Sequence, residues 1–250
     1  MKTVMITGCS SGFGLEIARY FLDRDWSVVA TMRTPQDGIL PVSDRLRVVP
    51  LDVTDAASIA SAIVAAGPVD VLVNNAGIGW LNALEGTPMQ VTRELFETNT
   101  FGTMAMILAI LPQFRERRSG IIVNVTSSVT LKPLPLLSTY TASKAAVNAF
   151  TESLALELAA FDVRAHLVLP GRAPDTSFAT TARSRLTGEG GFPEPYSDLV
   201  QEVLARFQQP DDKITRSLDV AEAVWRAATD VDAPMRIPAG ADAVALSPGS

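Results

Sequence analysis

The sequence predicts one α/β domain: a doubly wound parallel sheet with helices on both faces. Three observations carry that expectation. Short β-branched and apolar runs alternate with helical stretches, strand following strand at roughly 25–35 residues, as βαβ units require. The first run breaks into a glycine-rich turn and then a helix. The later runs end in Asn-Asn-Ala-Gly, in hydroxyl residues or in Pro-Gly, and strand carboxyl ends are where open parallel sheets collect ligands.

Val4-Met5-Ile6 reads as the first strand, stopping at Thr7-Gly8. Thr7-Gly8-Cys9-Ser10-Ser11-Gly12-Phe13-Gly14 follows, and then Leu15, Ile17, Ala18, Phe21 and Leu22 recur at helical spacing. Strand, glycine loop and helix together aim backbone N–H groups at a pyrophosphate. Glycine is needed because a Cβ would block the phosphate or strain a positive φ. The spacing is Gly-x-x-x-Gly-x-Gly, not the commoner Gly-x-Gly-x-x-Gly. Cys9 in this loop reads as a small space-filler. Residues 27–32 are the second strand, followed by Arg33. With no Asp or Glu over residues 30–32, this strand end favours a ribose 2′-phosphate paired with Arg33, and Ser10 and Ser11 add hydroxyls to the same phosphate. The plainer reading of Arg33 is a solvated charge.

Residues 46–51 are the third strand, running into Asp52-Val53-Thr54-Asp55. Asp52 has two readings: a partner for an adenine amino group, or a cap for the helix starting near Asp55. Residues 69–73 are the fourth strand and run into Asn74-Asn75-Ala76-Gly77. A long helix over about 88–117 carries Asn99 in its middle, where the plain reading is a hydrogen-bonded core residue. Residues 120–128 are the fifth strand and deliver Ser127 and Ser128; residues 162–169 are the sixth and end in Pro170-Gly171. Residues 172–210, broken by Gly188, Gly190, Gly191, Pro193 and Pro195, read as an irregular substrate lid. A helix over 217–228, capped by Ser217 or Asp219, and a weak strand over 235–238 complete the chain. No linker divides it, so residues 1–250 are taken as one domain.

Bulk composition narrows the function. Hydrophobic residues are 47% and charged residues 19% of the 250, which is an ordinary globular balance with material for a core. A net charge of −6 without a long basic run argues against nucleic acid or an anionic membrane as partner. A single cysteine excludes an intrachain disulfide and points to a reducing cytoplasm. The first six residues are too short an apolar run for a signal peptide or a membrane span, and residues 104–111 read as buried helix. His166, the one histidine, sits in an apolar strand and reads as a core residue; without a ligand cluster, no metal site is expected. No Gly-x-Ser-x-Gly elbow supports a serine hydrolase.

The chemistry concentrates in Ser138-Thr139-Tyr140-Thr141-Ala142-Ser143-Lys144. On a helix, Tyr140 and Lys144 sit one turn apart on one face. A free phenol titrates near ~10 and is a poor base at neutral pH. An ammonium about 4 Å away stabilises the phenolate by roughly 1 kcal/mol in water and about 4 at an effective dielectric of 20. One pKa unit is about 1.4 kcal/mol, so the pair is expected in a sheltered cleft, where the amine draws the phenol towards neutral pKa. The small residues between them let a cofactor lie close to the helix.

Thr7-Gly8-xxx-Gly12-x-Gly14, Asp52, Asn74-Asn75-Ala76-Gly77, Asn99, Ser127, Tyr140-xxx-Lys144 and Pro170-Gly171 occur in this order over nearly the whole chain. In this the sequence resembles the short-chain dehydrogenase/reductase family. The stretch from Thr7 to Arg33 is similar in particular to the NADP-using branch around 17β-hydroxysteroid and retinol dehydrogenases. The resemblance implies a Rossmann-type fold and assigns roles. Tyr140 is the general acid/base; Lys144 lowers its pKa and binds the nicotinamide ribose. Ser127 holds the substrate oxygen, with Ser128 as the alternative, and Asn99 anchors a water in a proton relay. Gly8, Ser10, Ser11, Gly12, Phe13, Gly14, Arg33, Asn75, Ala76, Gly77, Pro170 and Gly171 line the cofactor, with Asp52 and Val53 at the adenine. The chain departs from the family at Asp175, which stands where a carboxamide-binding Thr is usual; Thr176 follows one residue later.

The expected activity is interconversion of a secondary alcohol and a ketone, or an alcohol and an aldehyde, with NADP(H). NAD(H) is the lesser alternative, and a dinucleotide sensor without turnover is a third. The apolar stretch from Lys132 to Leu137 points to a hydrophobic small molecule. A homo-oligomer, dimer or tetramer, is expected through the helices starting near Pro88 and Ser138.

Overall fold

The computed structural model describes residues 1–174, 176, 191–208 and 213–247. Seven strands form one sheet in which every pairing is parallel: β1 (Thr3–Ile6), β2 (Ser27–Met32), β3 (Leu46–Pro50), β4 (Val71–Asn74), β5 (Gly120–Val125), β6 (Val163–Pro170) and β7 (Arg236–Ala239). Their order is β3-β2-β1-β4-β5-β6-β7. The chain therefore winds outwards through β2 and β3, then crosses back to lay β4 on the other side of β1. That reversal opens a crevice at the carboxyl ends of β1 and β4.

Both faces are covered, which is why the strands read as unbroken apolar runs instead of alternating ones. On one face lie α1 (Gly12–Leu22) and α7 (Ser217–Thr229). Phe21 of α1 meets Trp225 of α7 and Trp26 edge-on, each with ring centroids 5.1 Å apart, which fixes α1 against its neighbour. On the other lie α2 (Ala56–Ala66), α4 (Gly102–Arg117) and α5 (Ser138–Leu158), packed through residues such as Ile59, Ile107 and Leu154. The remaining helices are α3 (Met89–Phe96), α6 (Ser197–Gln208) and the short α8 (Ala241–Val244).

Three local features differ from the sequence expectation. The long helix is interrupted by a π-helical turn, Glu97–Phe101, with Asn99 at its centre. As a whole, Met89–Arg117 is long and apolar enough to cross a membrane by length and composition, yet 44% of its apolar window is buried within the fold. The fifth strand stops at Val125, because Ser127 caps a 3-10 turn, Ser128–Thr130, accepting from Val129 N at 3.3 Å. Within the expected irregular lid, α6 forms an amphipathic helix that packs Val200 and Val203 against Ala83 and Leu136. At the start of α7 one of the two expected alternatives is taken: Asp219, in the first turn, accepts from the N–H of the N-cap residue Arg216 at 2.8 Å.

His166 is half satisfied: Nδ1 bonds to Pro234 O at 3.0 Å, Nε2 is buried without a partner, and burial lowers its pKa. Among the described residues, no group of three or more His, Cys, Asp or Glu is placed to hold a metal ion.

Candidate active site

At the crevice, two strand ends are stitched together. Thr7 Oγ1 accepts from the backbone N–H groups of Asn75 and Ala76, each at 3.0 Å. Asn75 Nδ2 donates in return to Thr7 O at 2.9 Å and Gly8 O at 3.1 Å. The Asn-Asn-Ala-Gly turn thereby clamps the glycine loop in place. Gly8 and Gly12 have φ of 75° and 56°, the left-handed region that a side chain resists. Gly14 is required by contact instead: a Cβ there would lie 2.3 Å from Gly8 O. Ser11 is the N-cap residue of α1 and its side chain makes no capping bond, so the first-turn N–H groups are not closed off by it. Ser10, Phe13 and Ser11 flank this turn at half-buried and exposed positions. Cys9 faces inward, fully buried, with its thiol pushed up to about 12 by desolvation, and is inert packing.

Further along the same edge, Arg33 is exposed just past β2. Asp52, just past β3, is half-buried. Asp55 is the cap of α2, accepting from Ala57 N at 2.9 Å, so the capping alternative for Asp52 falls away. Asp52 Oδ1 instead accepts from Thr54 N at 2.9 Å and Thr54 Oγ1 at 2.7 Å. These bonds hold its carboxyl below the usual range, and the nearby Arg33 guanidinium adds to them. Val53 is buried against Gly102, where a Cβ would meet Val53 Cγ2 at 2.8 Å.

Tyr140, Lys144, Ser127 and Asn99 converge beyond β4 and β5. The Tyr140 phenol is buried and hydrogen-bonded to the Ser127 hydroxyl. Lys144, one turn on along α5, is 5% exposed, and its Nζ donates to Val125 O at 3.1 Å. Asn99 Oδ1 accepts from Ile78 N at 2.8 Å, while Nδ2 donates to Ile78 O and Ser143 Oγ, both at 3.0 Å. Its position on a π-turn lets one side chain hold both the loop after β4 and the second turn of α5. A Cβ on Gly77 would come within 3.1 Å of Asn99 Oδ1 and 3.3 Å of Lys144 Nζ, so this glycine keeps the space beside the amine open.

The electrostatics correct the sequence expectation. Burial pushes the Tyr140 phenol up to about 12, with the Ser127 hydrogen bond pulling the other way, and brings the Lys144 ammonium down to about 8. Each group resists its own charged form. In the protein alone, burial sets the direction of both shifts, so the phenol stays protonated and the amine is drawn towards its neutral form.

Residues on the lid side fall into two groups. Gly171 N bonds to Thr215 Oγ1 at 2.8 Å, and Arg172 N to Asp242 Oδ2 at 2.5 Å, so the turn after Pro170 is anchored from the C-terminal segment. A Cβ on Gly171 would strike Asp242 at 2.1 Å. Thr176 is buried, hydrogen-bonded to Ala173 O at 2.9 Å, and stands in van der Waals range of a Cβ on Gly12. Asp175, residues 177–190 with Gly188 and Gly190, and residues 209–210 of the expected lid lie outside the described residues. The second group, Leu137 apart, was missed from sequence. Trp80, Val91, Leu95 and Val129 enclose Tyr140 in one apolar cluster, with Ile78, Leu137 and Phe192 packed against it. Trp80 Nε1 donates to Thr87 Oγ1 at 2.9 Å. Besides the apolar stretch ending at Leu137, only the Trp80 indole, apolar yet needing a partner, hinted at this wall.

Comparison with known proteins gives concordant matches. The family model described as short chain dehydrogenase matches residues 2–186. The uncharacterized oxidoreductase YusZ of Bacillus subtilis (strain 168) is 35% identical over 239 residues, which is 91% of this chain and 85% of that protein. Retinol dehydrogenase 8 of Bos taurus is 40% identical over 182 residues, 68% of this chain, and the match spans 58% of the relative's length. A short-chain dehydrogenase from Streptomyces avermitilis superposes with a TM-score of 0.82 at 33% identity, covering 98% of this chain and 90% of that one. The closed form of a serine dehydrogenase complexed with NADP+ gives 0.80 at 27% identity, with 99% and 97% covered. A 3-ketoacyl-(acyl-carrier-protein) reductase from Brucella melitensis complexed with NADH gives 0.77 at 26%, with 95% and 96% covered.

Proposed function

Because the chain belongs to the short-chain dehydrogenase/reductase family, and is an oxidoreductase of that family, we propose that it reduces a carbonyl to an alcohol, or reverses that step, with NADP(H). One observation carries the reading: a buried phenol hydrogen-bonded to a serine hydroxyl, with a buried amine one turn away on the same helix.

The residues present fit a nicotinamide dinucleotide. Glycines at positive φ shape the loop before α1, Gly77 keeps open the space beside Lys144, and similar structures carry NADP+ or NADH. Gly8 to Gly14 would hold the pyrophosphate, Asp52 and Val53 the adenine, Asn75 to Gly77 the inner cleft, and Pro170-Gly171 its far wall. When bound, the nicotinamide supplies or accepts the hydride. The chain's own residues do the rest. Ser127 donates to the substrate oxygen and fixes the phenol. In the reduction Tyr140 delivers its proton to that oxygen as negative charge develops there, and in the reverse step it takes that proton back. Lys144 places a cation beside both. Ser127 is preferred to Ser128 because it is the hydroxyl bonded to Tyr140. Asn99 holds the floor through Ile78 and Ser143.

NADP(H) is favoured over NAD(H) by Arg33 and by the absence of an acidic residue at the end of β2. An apolar substrate is favoured by Phe192, Leu137 and Val129 around the phenol. A dimer or tetramer is proposed through α4 and α5, whose Leu108 and Leu156 are 70% and 81% exposed.

The test is a panel of ketones and aldehydes read by NADPH absorbance, wild type against Tyr140→Phe. We expect turnover that falls at least ~100-fold in the variant, the lower end for a lost general acid. Activity surviving intact in Tyr140→Phe overturns the mechanism. Dinucleotide binding without any turnover would return the chain to the sensor reading.

A further inference from the structure

Asn82 is 2% exposed and ties three separate segments together through their backbones. Its N–H donates to Leu136 O at 2.9 Å. Its Nδ2 donates to Gly86 O at 2.7 Å and to Gly191 O at 3.0 Å, and its Oδ1 accepts from Ala83 N at 2.8 Å. Two of those segments end in residues that flank the phenol. Leu136 is followed by Leu137, and Gly191 by Phe192; both pack against the cluster that contains Tyr140. Phe192 also packs against Ala83, Val200 and Val203, so it joins that cluster to α6.

The joint is built tightly. Leu136 adopts a φ of 64°, a conformation a leucine keeps only where its surroundings hold it, and its carbonyl is the one Asn82 N–H engages. Gly191 has a φ of 78°. A Cβ on Gly86 would meet Pro193 Cδ at 2.6 Å and Asn82 Oδ1 at 2.8 Å, so loop and lid approach at backbone distance.

Resting on the carbonyl-reductase reading above, we infer that Asn82 is a positioning residue that sets the apolar wall facing Tyr140, and with it the size of carbonyl substrate the site takes. It does so by fixing Leu137 and Phe192 through the backbone of their neighbours. It touches none of Ser127, Tyr140 or Lys144 in the hydrogen-bond pattern, so its effect falls on substrate fit and not on proton transfer.

The test measures kcat and KM with NADPH for decanal and propanal in wild type, Asn82→Ala, Asn82→Asp and Gly86→Ala. Asn82→Asp keeps the acceptor for Ala83 N but has no N–H for Gly86 O or Gly191 O, so it separates the donor role from mere volume. Gly86→Ala pries the same joint from the other side. All three are expected to raise KM for decanal at least tenfold, with kcat and the KM for propanal changing less than threefold. Equal losses for both aldehydes, or an Asn82→Asp variant that behaves as wild type, overturn the inference. Hydrogen exchange provides a readout that needs no turnover. Asn82→Ala is expected to speed amide exchange over residues 134–137 and 191–204 while residues 138–158 stay protected. If wild type turns over neither aldehyde, nor any carbonyl of the panel, the functional reading fails. Unchanged exchange in those segments overturns the positioning role itself.

Discussion

Lys144 Nζ donates to the carbonyl of Val125 at 3.1 Å, at the last residue of β5, inside the protein and away from water. The amine thus sits where a charge is costly, and its pKa of about 8 leaves it mostly protonated at neutral pH but close to release. The phenol one turn earlier is moved the opposite way by the same burial. The two shifts together make a site that holds its proton on tyrosine and spends stability on an ammonium.

That arrangement makes the lysine a liability to folding. In the unfolded chain it titrates at its ordinary 10.5, in the folded protein at about 8. Between these values the unfolded state holds a proton that the folded one has lost, so stability rises with pH through this window, and below it the penalty is complete. The shift corresponds to about 3 kcal/mol, from which about 1 is lost when Val125 O loses its donor. Lys144→Met is therefore expected to be more stable than wild type by roughly 2 kcal/mol at pH 7, though inactive, with the gap nearly closed at pH 9.5. Urea unfolding at both pH values checks it; a gap that does not narrow contradicts the buried-ammonium account.

The same group should mark the pH profile. The ratio kcat/KM for NADPH reports ionisations of the free protein. It is expected to fall as pH rises through about 8, the value at which Lys144 loses its charge, and to be nearly flat from pH 6 to 7 because the phenol stays protonated up to about 12. Lys144→Arg keeps a charge throughout, and in whatever activity it retains the falling limb should vanish. A limb near 8 that persists in Lys144→Arg assigns it to another group.

The glycine loop separates contact from conformation. Gly14→Ala puts a Cβ 2.3 Å from Gly8 O and 2.6 Å from Asn75 Nδ2, against the clamp that holds the loop. Gly38→Ala meets nothing within 4 Å, and its φ of 76° leaves only local strain. NADPH affinity by calorimetry is expected to fall at least tenfold in Gly14→Ala. Gly38→Ala should keep it and lose only about 1 kcal/mol of stability. Equal binding in the two variants would remove the loop from the cofactor site.

Much of this architecture was legible locally. The period of Leu15, Ile17, Ala18, Phe21 and Leu22 shows α1, and the four-residue step from Tyr140 to Lys144 puts both on one face of α5. The rest depends on partners that spacing does not reveal. The direction of the Tyr140 shift follows from how completely the fold dries it, a sum over Trp80, Leu95 and Val129 from three other segments. Asn82 reaches a carbonyl 109 residues away. Helix α6 hid because glycine and proline crowd the residues before it, while its own apolar face finds its partner on Ala83 and Leu136. The π-turn at Asn99 leaves no compositional mark at all.

On the proposed function, cofactor choice turns on Arg33. The side chain is exposed beyond β2, so removing it should leave the fold intact. Its guanidinium is close enough to Asp52 to favour that carboxylate, which makes the strand-end pair a balance of one positive and one negative group. A ribose 2′-phosphate brings negative charge to this edge and needs the arginine to offset Asp52; a free 2′-hydroxyl does not. Arg33→Ala is therefore expected to raise the KM for NADPH at least tenfold and leave the KM for NADH within twofold. Arg33→Lys, which keeps the charge but not the planar fork, should fall between. Matched carbonyl-reduction assays with the two cofactors measure the ratio. A preference unmoved by Arg33→Ala would mean that the glycine loop, through Ser10 and Ser11, or nothing on this edge, reads the phosphate.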